Sequence, residues 1–259
     1  MPLNKPIASW SGLRVWVIGA SSGIGAALAQ ALLASGARVA LSARNADTLA
    51  KVAADARPGQ VLVLPLDVTR EEQLSVALDA IVASWSGLDL AVILAGSHKP
   101  VRAWELSSQE ARGLVETNLM GAINASAVVI PHLIRHGSGG IAVVSSVAGY
   151  GGLPTSLVYG ATKAALINFA ETLYLDLAPR GIGVYLVNPG FVKTPLTDRN
   201  EFRMPALISP EEAAREIIRG FAAGRFEIHF PKRFTLWMKF LKLLPYRLYF
   251  RAVHKFTGL

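Results

Sequence analysis

Tyr159 and Lys163 stand four residues apart in Val158-Tyr-Gly-Ala-Thr-Lys163, and Ser146 lies thirteen residues before the tyrosine. Two residues four apart on a helix project from one face. A cation held beside a phenol stabilises phenolate and lowers the tyrosine pKa. A side chain that ordinarily titrates at about 10 then works as an acid or base nearer neutrality. A serine hydroxyl close by could hold a carbonyl or alcohol oxygen against the phenol. The chemistry this suggests is movement of a proton on or off an oxygen. An ordinary surface Tyr/Lys pair has the same spacing, so the surrounding elements must decide.

The first apolar run, Leu13 to Ile18, leads directly into Gly19-Ala-Ser21-Ser22-Gly23-Ile24-Gly25 and then into the alanine-rich stretch Ala26 to Leu33. A strand, a glycine turn and a helix start make a phosphate-binding element. Glycines let the backbone approach a pyrophosphate, and the free N–H groups of the helix start attract the anion. The second strand, Arg38 to Ser42, ends at Ala43-Arg44, with no carboxylate before Asp47. An acidic residue there would select NAD through the ribose 2′-hydroxyl, whereas an arginine accepts a 2′-phosphate. Arg44 therefore points to NADP(H) over NAD(H), the alternative being a solvated surface charge.

With these pieces placed, the chain resembles the short-chain dehydrogenase/reductase family from about Gly12 to about Pro231. Gly19, Gly23 and Gly25 look like its cofactor glycines, with Ser21, Ser22 and Ile24 between them. Asp67-Val68 looks like the pair whose carboxylate holds the adenine amino group, and Ala95-Gly96 follows the fourth strand. Asn118, in Thr117-Asn-Leu-Met-Gly121, is similar to the catalytic asparagine. Ser146, Tyr159 and Lys163 match the catalytic triplet, and the resemblance also gives Tyr159 and Lys163 to the cofactor site, Lys163 through the nicotinamide ribose. Pro189, Gly190, Val192 and Thr194 fall in the segment that contacts the nicotinamide. One departure stands out: the family's two asparagines before Ala95-Gly96 are here Ile93 and Leu94, which puts local bracing of the sheet in question.

At 259 residues and 52% apolar content, one α/β domain can bury a large core. The expected fold is a Rossmann-like doubly wound parallel sheet of about seven strands with helices on both faces. The apolar runs read as strands are Val15–Ile18, Val39–Leu41, Val61–Leu66, Leu88–Leu94, Ile141–Ser145 and Ile182–Asn188. Capped helix starts are read at Thr69/Glu72, Ser107/Glu110 and Ser209-Pro210/Glu212. The helix from about Ser156 to Pro179 carries the Tyr/Lys pair, and its small residues Ala161, Ala164 and Ala165 suit close packing against a second copy, as a homodimer or homotetramer. Cysteine is absent, which excludes disulfide and thiolate chemistry. Asn4, Lys5 and Pro6 break the start, so no cleaved secretion signal is expected and the chain is placed in the cytoplasm. No metal site is expected: the histidines lack ligand spacing, and His98, His132 and His136 are read as surface or loop residues.

Net charge is +8, and it is concentrated. From Arg225 to Leu259 eight Lys/Arg face one Glu, leaving the other 224 residues near neutral. The chain therefore divides into a catalytic body, 1–231, and a basic amphipathic helical extension, 232–259. Lys232, Thr235, Lys239 and Lys242 are expected on one face, with Phe234, Trp237, Met238, Leu241 and Leu244 on the other. The lysines exclude a membrane-spanning helix. A basic face opposite an aromatic one suits a helix lying at an anionic membrane surface, and packing on the chain's own body or on a sister subunit is the alternative. No nucleic-acid motif accompanies the charge, so no nucleic-acid partner is expected.

The expected activity is hydride transfer between NADP(H) and a carbonyl/alcohol substrate, with Tyr159 as acid/base. Leu196, Phe202, Met204, Leu207 and Ile208, in the segment from Thr194 to Ser209, make an apolar lid at the carboxyl edge of the sheet. Lid and extension together suggest a hydrophobic, lipid-like substrate and a place in lipid metabolism. The competing readings are a non-catalytic NADP-binding sensor or scaffold, and a dehydratase or epimerase on the same fold.

Overall fold

The computed structural model describes residues 2–199 and 204–257. Phe202 lies outside the described residues. Seven parallel strands form one sheet in the order β3-β2-β1-β4-β5-β6-β7. They are β1 (Arg14–Ile18), β2 (Arg38–Ser42), β3 (Val61–Val63), β4 (Leu90–Ile93), β5 (Gly140–Val144), β6 (Gly183–Pro189) and β7 (Glu227–Phe230). The central strands are apolar along their length because helices cover both faces of the sheet. One face packs on α1 (Gly23–Ala34) and α7 (Pro210–Ala222), around Leu28, Leu32, Ile217 and Phe221. The other packs on α3 (Glu71–Trp85), α5 (Gly121–His136) and α6 (Leu157–Leu177), around Trp16, Ile81, Val129 and Leu166. A short α2 (Ala46–Val52) follows β2.

Three boundaries differ from the expectations. The third apolar run forms a ladder only over Val61–Val63, because Pro65 interrupts the run. Thr69 does not cap α3. Arg70 is the cap residue, and the Thr69 hydroxyl donates to Asp67 Oδ1 at 2.9 Å. The seventh strand, absent from the six apolar runs, reads Glu227-Ile-His-Phe230 and buries only alternate residues at the sheet edge. The other two caps form as expected: Ser107 accepts from the Glu110 N–H, and Ser209 and Glu212 make a reciprocal capping box.

Helix α4 (Ser108–Val115) runs through a π-helical turn, Glu116–Met120, into α5. The stretch Ser108–His136 is long and apolar enough to cross a membrane by length and composition. Here it is a covering helix of the sheet, with Ala122, Ala125, Val129 and Leu133 in the core. The extension folds as α8 (Lys232–Leu243) and α9 (Tyr246–Thr257). Both helices pack on the body: Met238, Leu241, Tyr249 and Val253 cluster with Val147, Tyr150 and Leu153.

The faces of α8 are rotated from the expected arrangement. Thr235, assigned to the basic face, is fully buried, with its Oγ1 2.6 Å from His229 Nδ1. Lys239, on the same face, pairs with Glu227. Trp237, grouped on the apolar face with Met238 and Leu241, is 41% exposed while those two are buried, and Leu236, Phe240 and Leu243 are exposed beside it. Half-buried His229 and Glu227 on β7 supply the polar partners that draw the Thr235/Lys239 side inward. His132, read as a surface or loop residue, is buried inside α5, whereas His98 lies in the loop after β4, where it is also buried.

Candidate active site

Strand order reverses between β1 and β4, so their carboxyl ends open a crevice. Gly19 leaves β1 with φ +103°, and a Cβ there would meet Ala95 N at 2.6 Å. A Cβ on Gly25 would meet Gly19 O at 2.1 Å, and one on Gly23 would meet Thr194 Cγ2 at 2.7 Å. The glycine turn is therefore pressed between Ala95 and Thr194, and only hydrogen side chains fit. Ser22 opens α1 without a side-chain cap, and no acidic residue occupies the first turn. The helix start thus keeps its N–H groups for an anion, as a dinucleotide pyrophosphate requires.

Arg44 is exposed just past β2, and its charge helps hold the Asp67 carboxyl below the usual carboxylate range. The largest cause of that shift is the Thr69 N–H donated to Asp67. Val68 is buried against Gly121, whose missing Cβ would meet Val68 Cγ2 at 2.6 Å. These residues fit a nicotinamide dinucleotide along the edge of β1, β2 and β4.

Asn118 is fully buried in the π-helical turn. Its Oδ1 accepts from Ser97 N at 2.7 Å, and its Nδ2 donates to Ser97 O at 2.9 Å and Thr162 Oγ1 at 3.3 Å. It therefore ties the loop after β4 to α6. A Cβ on Gly96 would lie 3.3 Å from Asn118 Oδ1 and 3.7 Å from Lys163 Nζ. Ile93 and Leu94 are accommodated as apolar residues: Ile93 pairs with Ile18 and Val143, and Leu94 N donates to Ile18 O.

Ser146 follows β5, and its hydroxyl accepts from Ala148 N at 3.2 Å. It also lies near enough to the Tyr159 phenol to favour its ionised form. Lys163 is buried, donates to Val144 O at 3.0 Å, and places its Nζ 5.7 Å from the centre of the Tyr159 ring. The electrostatics differ from the simple expectation. Burial pushes the Tyr159 phenol above its ordinary value, and Ser146, rather than Lys163, is the neighbour that draws it back. Burial also pushes the Lys163 ammonium down to about 8, because a charge surrounded by protein loses hydration.

Two site residues were not read from the sequence. His98 packs edge-on to Tyr159, and Tyr150 donates to Glu227 Oε1 at 2.6 Å. For His98 the available signal was its position two residues beyond Gly96, at the carboxyl edge of the sheet. The Pro189–Thr194 segment is held from behind by α8. Gly190 N donates to Phe230 O at 2.7 Å, and a Cβ there would meet Phe234 at 2.9 Å. Val192 bridges to Ile208, which draws the two ends of the lid segment together. Leu196, Met204 and Ile208 are half-buried, and Leu207 is exposed. Among the described residues no cluster suits a metal ion.

The short chain dehydrogenase family matches residues 14–203, the span holding the glycine turn, Asn118, Ser146, Tyr159 and Lys163. The chain belongs to the short-chain dehydrogenase family. An uncharacterized oxidoreductase of Myxococcus xanthus is 35% identical over 96% of this chain and 99% of its own length. The 3-oxoacyl-[acyl-carrier-protein] reductase FabG of Thermotoga maritima is 32% identical, covering 81% of this chain and 82% of that protein. A short-chain dehydrogenase from Streptomyces avermitilis superposes with TM-score 0.80 at 25% identity, covering 96% and 98% of the two chains. A family member from Burkholderia phymatum, solved in complex with NAD, superposes with TM-score 0.82 at 24% identity over 90% and 94%. This short-chain dehydrogenase is thus an oxidoreductase acting between CH–OH and C=O groups.

Proposed function

We propose that the protein is an NADPH-dependent reductase of hydrophobic carbonyl compounds. The clustering of Ser146 and buried Lys163 around the Tyr159 side chain is the observation that carries this reading. A nicotinamide cofactor held at the β1/β4 crevice by the Gly19–Gly25 turn would supply the hydride for carbonyl reduction. Ser146 orients and polarises the substrate oxygen. Tyr159 gives its phenolic proton to that oxygen as negative charge develops on it. Lys163 faces the ring and stabilises the phenolate left behind. Charge stabilisation of this kind is usually the largest part of such catalysis. Asn118 keeps Ser97 and Thr162 in register, which positions the lysine-bearing helix against the loop after β4.

Cofactor preference is assigned to Arg44, an exposed guanidinium at the end of β2 with no carboxylate beside it until Asp47. The apolar lid residues Leu196 and Ile208 support a hydrophobic substrate. The name carried by the Thermotoga maritima relative makes an acyl chain bearing a 3-oxo group the first class to test. Helix α6 leaves Ala161, Ala164 and Leu175 exposed, a surface suited to a second copy of the chain. The test is a panel of carbonyl compounds graded by chain length, followed by NADPH absorbance. Turnover that rises with chain length supports the reading. NADPH consumption on no member of the panel, or product formed without it, overturns it.

A further inference from the structure

The outward face of the extension is the largest feature that the active site leaves unused. Among the described residues, 17 large apolar side chains are exposed, and eight of them lie between Leu236 and Phe256. Aromatic contacts join several of them. Trp237 stacks with Phe240 at 5.6 Å on α8 and meets Phe256 of α9 edge-on at 5.4 Å. Tyr246 stacks with Phe250 at 5.6 Å, one turn apart on α9. The opposite face of the helices is committed to the body through Met238, Leu241 and Tyr249, so this aromatic face cannot turn inward.

Its charge is of one sign. Residues 232–259 contain seven Lys/Arg and no Asp or Glu. Among the described residues only Lys239 of the seven makes a salt bridge, and it does so with the body. Lys242, Arg247, Arg251 and Lys255 are exposed. We infer that this face docks on an anionic lipid bilayer, with Trp237, Phe240 and Phe256 entering the headgroup boundary and the exposed cations meeting lipid phosphates. Trp237 suits that boundary because its indole N–H can stay hydrated while the ring leaves water, and the two phenyl rings add apolar area to bury. A second copy is the poorer occupant, since a twofold contact through this face brings two all-cationic helices together without a counter-charge. The helices are also too basic to span. Their inner face touches Val147 and Leu153 in the loop after Ser146, so docking through the outer face leaves one helix layer between that loop and the bilayer. The docking itself does not rest on the proposed carbonyl chemistry.

The test uses the full chain, with co-sedimentation on phosphatidylcholine vesicles made with and without phosphatidylglycerol. Binding is expected with phosphatidylglycerol and is weakened by salt. Two paired variants separate the contributions, neither touching the catalytic residues: Trp237→Ser with Phe240→Ser, and Lys242→Glu with Arg251→Glu. Each pair should weaken binding roughly ten-fold or more, with unchanged circular dichroism and NADPH affinity. A tryptophan blue shift on vesicles should vanish in Trp237→Phe. No binding by the full chain, or equal binding to both vesicle types, overturns the inference. So does light scattering that shows an oligomer dissociated by the aromatic pair without any vesicle binding.

Discussion

His98 stands edge-on to Tyr159, with ring centroids 4.6 Å apart and planes inclined by 62°. The two rings come from the ends of different elements, the loop after β4 and the first turns of α6. His98 is 7% exposed, so it forms a wall against the tyrosine rather than a surface group. His98→Ala should lower kcat/KM several-fold and shift the acid–base profile, while His98→Phe, which keeps a ring edge there, should restore most of the rate. A full pH–rate profile of both variants is the measurement. Equal profiles for alanine and wild type would remove His98 from the site.

Tyr159→Phe keeps the ring and its packing against His98 but deletes the proton donor. Turnover should fall by about a hundred-fold or more, the scale of a lost general acid. NADPH binding, followed by fluorescence titration, should stay close to wild type. A variant that keeps a tenth of the wild-type kcat would show that the proton comes from elsewhere.

Arg44→Ala should erode the preference for NADPH over NADH. A charge-assisted phosphate contact is worth about 1.5–3 kcal/mol, so the ratio of dissociation constants should change by about ten-fold or more. NADH affinity should barely move. Equal affinities for the two cofactors in the unmutated protein would end the assignment.

Glu227 holds the extension to the body. Its carboxylate accepts from Tyr150 at 2.6 Å and from Asn188 Nδ2 at 2.9 Å, and it pairs with Lys239 of α8. Burial opposes the charge, but these three partners hold the carboxyl below its ordinary value. Glu227→Gln should cost about 2 kcal/mol, or roughly 4–8 °C in Tm for a chain of this size. Because Asn188 precedes Pro189 and Gly190, NADPH affinity should weaken as well. Thermal melts and cofactor titration of the same sample check both effects.

His229 provides a pH signature. It lies beside buried Thr235, and burial together with Lys239, Lys232 and Arg225 pushes its imidazole down to about 4, against the opposing pull of Glu227. An unfolded imidazole titrates near 6.5. Between pH 6.5 and about 4 the unfolded chain therefore binds a proton that the folded chain refuses, and stability falls as pH is lowered through that window. Replacing His229 with Asn should flatten the dependence of Tm on pH there. An unchanged slope would assign the acid sensitivity to other groups.

Much of the body was legible because its signals are local. Continuous apolar runs mark buried parallel strands, the glycine turn follows β1 within a few residues, and Tyr159 and Lys163 share a helix face by spacing alone. Family resemblance added Asn118 and the Pro189–Thr194 segment on the strength of motif order. What escaped was set by contacts between residues distant in the chain. Strand β7 carries a glutamate and a histidine, and it looks unlike a strand until Leu186–Pro189 pairs with it. Thr235 and Lys239 look solvent-facing until His229 and Glu227 supply partners. His98 is an unremarkable loop histidine until α6 brings Tyr159 against it. Periodicity and spacing along the chain determined the elements and the proton-handling pair. The tertiary structure alone decided which polar groups lie buried together, because the cost of burying each depends on a partner that sequence proximity does not reveal.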